Sequence, residues 1–232
     1  MQGLILAAGR GTRMGKISTP KCLLDIGNTS IIKYQVMCLH EFGINEIVII
    51  TGYKSNLIKK HLDNNAYYIF HKDYHKTNNL YSMWKAYDIL TDDFVCIYSD
   101  LFFHKQLLKK CIDSKDTVCL VIDRKVRNET MKVKINNDHI VEVSKSIQPN
   151  MVDGNFIGMA KFSNEGRKLL FSTINELTKQ GNFDSYYTLA IEHMISKGNK
   201  ISFIETKDYP WVDIDTTRDL EEARLIYKTM IR

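Results

Sequence analysis

The stretch Leu4-Ile5-Leu6-Ala7-Ala8-Gly9-Arg10-Gly11-Thr12-Arg13-Met14-Gly15, continued by Pro20-Lys21, decides the fold. Leu4 to Ala8 is a short, unbroken apolar run that stops at glycine. Such a run is the mark of a strand buried on both faces. The glycines that follow carry no Cβ, so their backbone can approach a phosphate closely. Arg13 and Lys21 add the charge that a triphosphate requires. Two familiar phosphate loops do not match. A dinucleotide fingerprint needs a third glycine where Met14 stands, and Pro20 interrupts any helix opened here. A Walker A loop needs Ser or Thr after Gly15-Lys16, and Ile17 occupies that place.

Outward from this loop, strand and helix patterns alternate. Ser30 is placed to cap a helix over Ile31 to Phe42, which stops at Gly43. Ile47 to Ile50 reads as a second buried strand. Leu57 to Leu62 falls in a short helix, Tyr67 to Phe70 is strand-like, and Leu80 to Leu90 has helical spacing. Phe94 to Tyr98 is a further buried strand, ending at Ser99-Asp100. Leu107 to Ile112 is helical and Val118 to Ile122 a strand. Continuous apolar strands separated by helices predict an α/β fold with a doubly wound, mostly parallel sheet. The middle differs: Lys132 to Ile135, Ile140 to Val143 and Phe156 to Phe162 predict a small antiparallel insertion or lid within 123–162. The end returns to helices over Gly166 to Leu177 and Tyr186 to Ile195, a strand over Ile201 to Ile204, and a final helix after Thr216. One domain over 1–232 is expected.

The bulk properties agree. The 232 residues suit one large domain, and 44% hydrophobic residues supply a normal core. A net charge of +5 is mild, and Lys and Arg are spread along the chain without a basic stripe. Nucleic acid is therefore not expected as a partner, whereas an anionic small substrate is. The five cysteines form no CxxC pair, which suits a reducing cytosol better than a disulfide framework. With no secretory leader and no bilayer-length apolar run, a cytoplasmic, membrane-free protein is expected. The sequence leaves a homodimer open.

Two acidic positions stand at strand ends. Asp100 closes a strongly apolar strand, where open α/β sheets bind ligands. Its carboxylate suits Mg²⁺, which takes one or two carboxylates plus phosphate oxygens. The plainer reading is a cap on the next helix. In Trp211-Val212-Asp213-Ile214-Asp215-Thr216, alternation puts Asp213 and Asp215 on one face, and Thr216 or Thr217 then caps the last helix. His71 and His75 have a spacing that zinc ligands use, but no third ligand accompanies them.

Leu6-Ala7-Ala8-Gly9-x-Gly11-Thr12-Arg13-Met14, with Pro20-Lys21-Cys22-Leu23, resembles the opening of the nucleotidyltransferases typified by sugar-1-phosphate nucleotidylyltransferases. The resemblance implies a doubly wound α/β domain. It implies that Leu6, Ala7, Ala8, Gly9, Gly11 and Thr12 wrap a nucleoside triphosphate, with Arg13 and Lys21 stabilising charge during transfer. It makes Asp100 the first ligand of Mg²⁺ and Asp215, ahead of Asp213, the second.

Within that family the chain looks like the cytidylyltransferase branch, similar to phosphocholine and phosphonate cytidylyltransferases. Asn78-Asn79-Leu80-Tyr81-Ser82 resembles a stretch of theirs, and Asn78, Asn79 and Ser82 are candidates to read base or ribose, or to cap the helix. The Glu-Lys-Pro of sugar-activating members is replaced by Val143-Ser144-Lys145-Ser146. Lys145 is a candidate for the acceptor phosphate, or a surface lysine. Asp153 to Phe162 resembles a strand of the phosphonate enzymes. The implied activity is transfer of CMP from CTP to a small phosphorylated or phosphonylated metabolite, with release of pyrophosphate. A choline head would need aromatic rings, for which Tyr81, Trp84, Tyr186, Tyr187 and Trp211 are candidates. A primary amine, as in 2-aminoethylphosphonate, would meet a carboxylate, Asp153 or Asp184. The residues do not choose between these heads. The alternatives are a sugar-1-phosphate nucleotidylyltransferase and a non-catalytic nucleotide-binding regulator on the same fold.

Overall fold

The computed structural model of the chain describes residues 1–11, 19–127 and 130–230. The first strand, β1 (Gln2–Ala7), is followed by α1 (Ile31–Glu41), β2 (Ile47–Thr51), α2 (Ser55–Leu62) and β3 (Tyr67–Phe70). After α3 (Asn79–Trp84) come β4 (Phe94–Tyr98), β5 (Leu101–Phe103), α4 (Lys105–Asp113) and β6 (Val118–Asp123). A hairpin of β7 (Met131–Asn136) and β8 (His139–Ser144) leads into β9 (Gly154–Phe162), then α5 (Asn164–Lys179) and α6 (Thr188–Ser196). The chain closes with β10 (Ser202–Glu205), β11 (Trp211–Asp213) and α7 (Thr217–Met230).

The main sheet has the order β10-β6-β9-β4-β1-β2-β3. β1 pairs in parallel with β2 and β4, β2 with β3, and β6 with β10. Alternate strand residues face opposite sides, so each side receives its own helices. Ile5, Ile49 and Ile97 pack with α1, α2, α4 and α7. Leu4, Val48 and Cys96 pack with α3, α5 and α6. This is the doubly wound, mostly parallel arrangement that the apolar runs predict. Burying strands on both faces is why those runs show no polar alternation.

Three expectations need correction. Phe156 to Phe162 is not part of a lid: β9 lies inside the main sheet, antiparallel to both β4 and β6. All nine of its residues are buried, including Lys161, whose ammonium reaches the carbonyls of Ser114 and Asp116. Only β7 and β8 form the expected antiparallel addition, hung on one end of β9. The helix expected to Leu90 stops at Trp84 and continues in tighter turns, Ala86 bonding the carbonyl of Met83 and Ile89 that of Ala86. β5 and β11, missed as a pair, make a separate two-stranded sheet. All five cysteines are free and buried. Among the described residues no helix is long and apolar enough to cross a membrane.

Candidate active site

The chain runs from β1 to β2 and β3 on one side, then crosses to β4 on the other side of β1. Between β1 and β4 the strand order reverses, and such a switch point opens a crevice beyond the strand carboxyl ends. A cleft of about 330 Å³ lies there. Leu6, Ala7, Ala8, Gly9 and Gly11, expected at the nucleotide, line it. Gly11 has φ +63, and a Cβ there would come within 3.1 Å of the Lys21 Cβ, so both backbone and space call for glycine. Thr12 and Arg13 lie outside the described residues.

The acidic positions converge. Asp100 follows β4 in a turn that enters β5, and β5 pairs with β11 so that Leu101 faces Asp213. One residue on, the Ile214 N–H donates to the Asp100 carbonyl at 3.0 Å. Oxygens of Asp100, Asp213 and Asp215 lie within 4.8 Å of one another. Asp213 was ranked behind Asp215, yet it lines the cleft, while Asp215 sits beside it and meets Lys21. β11 ends at Asp213, and the chain reaches Asp215 through the buried Ile214 before it bends at Thr216.

Lys21 stands in a short helical turn, Lys21–Leu23, after Pro20. Its ammonium lies 2.7 Å from Asp100 and 2.7 Å from Asp215. Burial alone would lower its pKa, but the two carboxylates more than offset that and leave it above the ordinary lysine value. The lysine is therefore a fixed cation at neutral pH. Neighbouring Cys22 also lines the cleft, but burial pushes its thiol up to about 12, so it holds no thiolate nucleophile at pH 7.

Three hard oxygen donors converging at the edge of a phosphate-sized cleft fit a divalent cation such as Mg²⁺. Among the described residues, no other group of three acidic, histidine or cysteine side chains does so. His71 is buried, and its Nε2 is bonded to the Thr77 hydroxyl at 2.7 Å.

Asn78, Asn79 and Ser82 also line the cleft. Part of their polar capacity is already engaged. Asn78 Oδ1 accepts from the Asn79 N–H at 2.9 Å and caps α3, while Asn79 Oδ1 accepts from the Tyr187 N–H at 2.7 Å. The segment is therefore stitched to the start of α6, with backbone bonds from Asn78 to Phe183 and from Leu80 to Ser185. Lys145 and Tyr186 line the far end of the cleft, with 3.1 Å between the ammonium and the Tyr186 hydroxyl.

Two residues expected at the substrate do not reach it. The Asp153 carboxylate accepts the Ile135 N–H at 2.7 Å, binding the hairpin to the approach of β9, and it does not line the cleft. Tyr81 stacks on Trp84 at 5.3 Å and abuts Phe183 and His71; its position in α3 turns it away from the cleft. Of the other aromatic candidates, Trp211 lines the cleft, whereas Trp84 and Tyr187 do not.

Two supporting residues escaped the sequence reading. Gln35 of α1 is fully buried, and its amide donates to the carbonyls of Tyr98 at 2.9 Å and Leu101 at 2.8 Å, which bracket Ser99-Asp100. Nothing local marks it except a polar residue on an apolar helix face. Asp219 accepts from the N–H groups of Asp215 at 3.0 Å and Thr216 at 2.6 Å, and its own N–H bonds the Thr216 hydroxyl at 3.3 Å. Thr216-Thr217-Arg218-Asp219 has the spacing of a capping box, which was the available signal.

Comparisons with known proteins bear on this site. The CTP:phosphoglutamine cytidylyltransferase of Campylobacter jejuni is 27% identical over 251 residues, covering 95% of this chain and 98% of that protein. The choline-phosphate cytidylyltransferase of Streptococcus pneumoniae is 34% identical over 116 residues, 47% of this chain and 48% of the relative. The fold is also that of the inositol-1-phosphate CTP transferase from T. maritima, with a TM-score of 0.82, 19% identity and 98% and 96% of the two chains covered. The model of the MobA-like NTP transferase domain matches residues 3–151, a span that holds the glycine loop, Lys21, the Asn78 segment and Asp100. The match takes in more than half of the chain, which thus belongs to the MobA-like NTP transferase family and is a nucleotidyltransferase.

Proposed function

We propose that the chain is a cytidylyltransferase that transfers CMP from CTP to a small phosphorylated or phosphonylated metabolite and releases pyrophosphate. The observation that carries this reading is the Lys21 ammonium set between Asp100 and Asp215, at the mouth of a cleft floored by the Leu6 to Gly11 backbone. Support for the cytidylyl branch comes from the relatives, two of which act on CTP or choline phosphate by name and match across most or half of the chain.

In this reading the triphosphate lies on the Ala8 to Gly11 backbone, and Arg13 and Lys21 neutralise it. The acceptor phosphoryl oxygen is already anionic near neutral pH, because a phosphomonoester has a second pKa near ~6. It attacks the α-phosphorus of CTP in line, the bond from that phosphorus to the bridging oxygen breaks, and the electron pair leaves with pyrophosphate. No protein base is required. The obstacle is the approach of one anion to another. Asp100 with Asp215 and Asp213 would hold Mg²⁺, which when bound would supply charge neutralisation at phosphorus and leaving group. Lys21 keeps the carboxylates in register and adds a fixed cation of its own. Asn78, Asn79 and Ser82 face the nucleoside end, and Lys145 with Tyr186 faces the acceptor.

The test is a pyrophosphate-release panel crossing CTP, UTP, GTP and dTTP with phosphocholine, 2-aminoethylphosphonate, phosphoglutamine and hexose-1-phosphates. The expected result is release with CTP and a small acceptor. Preference for UTP or dTTP with a hexose-1-phosphate would overturn the reading in favour of sugar activation.

A further inference from the structure

Resting on the cytidylyltransferase reading, we infer that the acceptor carries a second anionic group, of carboxylate type, beside the phosphoryl group that is activated, and that Lys145 reads it.

Two of the aromatic candidates line the cleft and so can meet a small head group, Tyr186 and Trp211. A quaternary ammonium needs such rings with their faces open. Both faces already carry a cation of the protein. The Lys145 ammonium lies 4.5 Å from the Tyr186 ring centre, and the Arg127 guanidinium lies 4.1 Å from the Trp211 ring centre. A further cation brought to either ring meets repulsion from the one already there.

A primary ammonium is no better served. It would need a carboxylate at this end, and among the described residues the acidic groups lining the cleft are Asp100 and Asp213, which belong to the Lys21 cluster. Asp153 spends an oxygen on the Ile135 N–H and lies outside the lining. Asp123, behind Trp211, is held by the indole N–H at 2.7 Å and the Lys125 N–H at 2.9 Å. Asp184 does not line the cleft either.

What this end does offer is donors. Lys145 has N–H bonds to spare beyond the one to the Tyr186 hydroxyl, since an ammonium carries three. A group of donors and cations without a carboxylate recognises an anion. The acceptor class is thus an organic phosphate with a carboxylate, as in a phosphorylated amino or hydroxy acid.

The experiment uses pairs that differ only in that group. O-phospho-L-serine is phosphoethanolamine plus a carboxylate; phosphoglutamine is paired with its decarboxylated counterpart. With CTP saturating, kcat/KM is measured for each, and for phosphocholine, in the wild type and in Lys145→Met and Lys145→Glu. Lys145 is exposed, so its variants are expected to fold. A charge-assisted hydrogen bond predicts about a tenfold or greater preference for the carboxylate-bearing member of at least one pair, collapsing to within about twofold in Lys145→Met. Lys145→Glu should shift use toward phosphoethanolamine. Equal use of both members of both pairs, preference for phosphocholine, or a Lys145→Met loss equal for both members would overturn the inference; the last would mean that Lys145 meets only the phosphoryl group. CTP-dependent release that favours phosphocholine would leave the cytidylyltransferase reading standing and remove this one. No release from CTP with any acceptor would remove both.

Discussion

The ammonium of Lys21 and the carboxylate of Asp215 meet at 2.7 Å, although 194 residues separate them in the chain. The same ammonium holds Asp100 at 2.7 Å, so one cation joins two carboxylates that would otherwise repel. Lys21→Met keeps the stem and removes the charge. The variant should melt lower than the wild type without a divalent ion, each kcal/mol lost appearing as about 2–4 °C in a chain of this size. Magnesium should then raise its Tm more than it raises that of the wild type, because the ion no longer competes with the lysine for the carboxylates. Turnover should fall by roughly 10²-fold or more. Thermal melts with and without MgCl₂ check the point, and an identical magnesium response in both proteins would rule out competition for one site.

Gln35 links α1 to the turn that presents Asp100. Its amide bonds to the Tyr98 and Leu101 carbonyls are fully buried on the protein side, so Gln35→Leu leaves two acceptors without partners. The expected cost is about 1–3 kcal/mol of stability by urea unfolding. The magnesium concentration for half-maximal rate should rise as well, because the Asp100 turn loses its anchor. A stability loss with unchanged magnesium dependence would confine Gln35 to packing.

The glycine loop and Asp100 were legible in the sequence because chemistry and position coincide there: each sits at the end of an apolar run whose direction the pattern fixes, while Lys21 was legible from the Pro20-Lys21 pair that follows the loop. The doubly wound sheet was legible for the same reason. The misreadings share a cause as well. Gly154 to Phe162 mixes glycine, polar and apolar residues, and only its neighbours on both sides show that it is an interior strand. Gly158 adopts φ +95 against the Tyr98 ring, where a Cβ would stand 2.6 Å from Tyr98 Cδ2, a contact no local pattern announces. Asp153 and Tyr81 have residue types suited to a ligand, but their partners, the Ile135 amide and the Trp84 ring, are set by tertiary structure.

Asp219 performs at α7 what Gln35 performs at α1. Its carboxylate caps the helix and holds the Asp215 and Thr216 amides at 3.0 and 2.6 Å. Asp219→Ala should cost about 0.5–2 kcal/mol, the range for a lost helix cap. Since the amide of Asp215 is then released, activity at limiting magnesium should drop further than activity at saturating magnesium. A uniform drop at both concentrations would argue that Asp215 keeps its place without Asp219.

His71 gives the fold a pH dependence with a definite sign. Its ring is buried and bonded to Thr77, against the segment that leads to Asn78. Burial lowers its pKa from the ordinary 6.5, and Lys85 and His75 lower it further, while Asp73 opposes them. The folded protein therefore holds His71 neutral under conditions in which the unfolded chain would protonate it. The stability this contributes is complete above pH 6.5 and is lost as pH falls from there through the folded value. His71→Gln removes the titration and keeps a side chain able to reach the Thr77 hydroxyl. Urea unfolding between about pH 7.5 and pH 5 should then show the wild type losing stability more steeply than the variant. Every other ionisable side chain is common to both proteins, so its contribution cancels in the comparison. Parallel curves would mean that His71 takes up its proton as readily in the folded state as in the unfolded chain, and that burial at this position is offset by a partner other than Thr77.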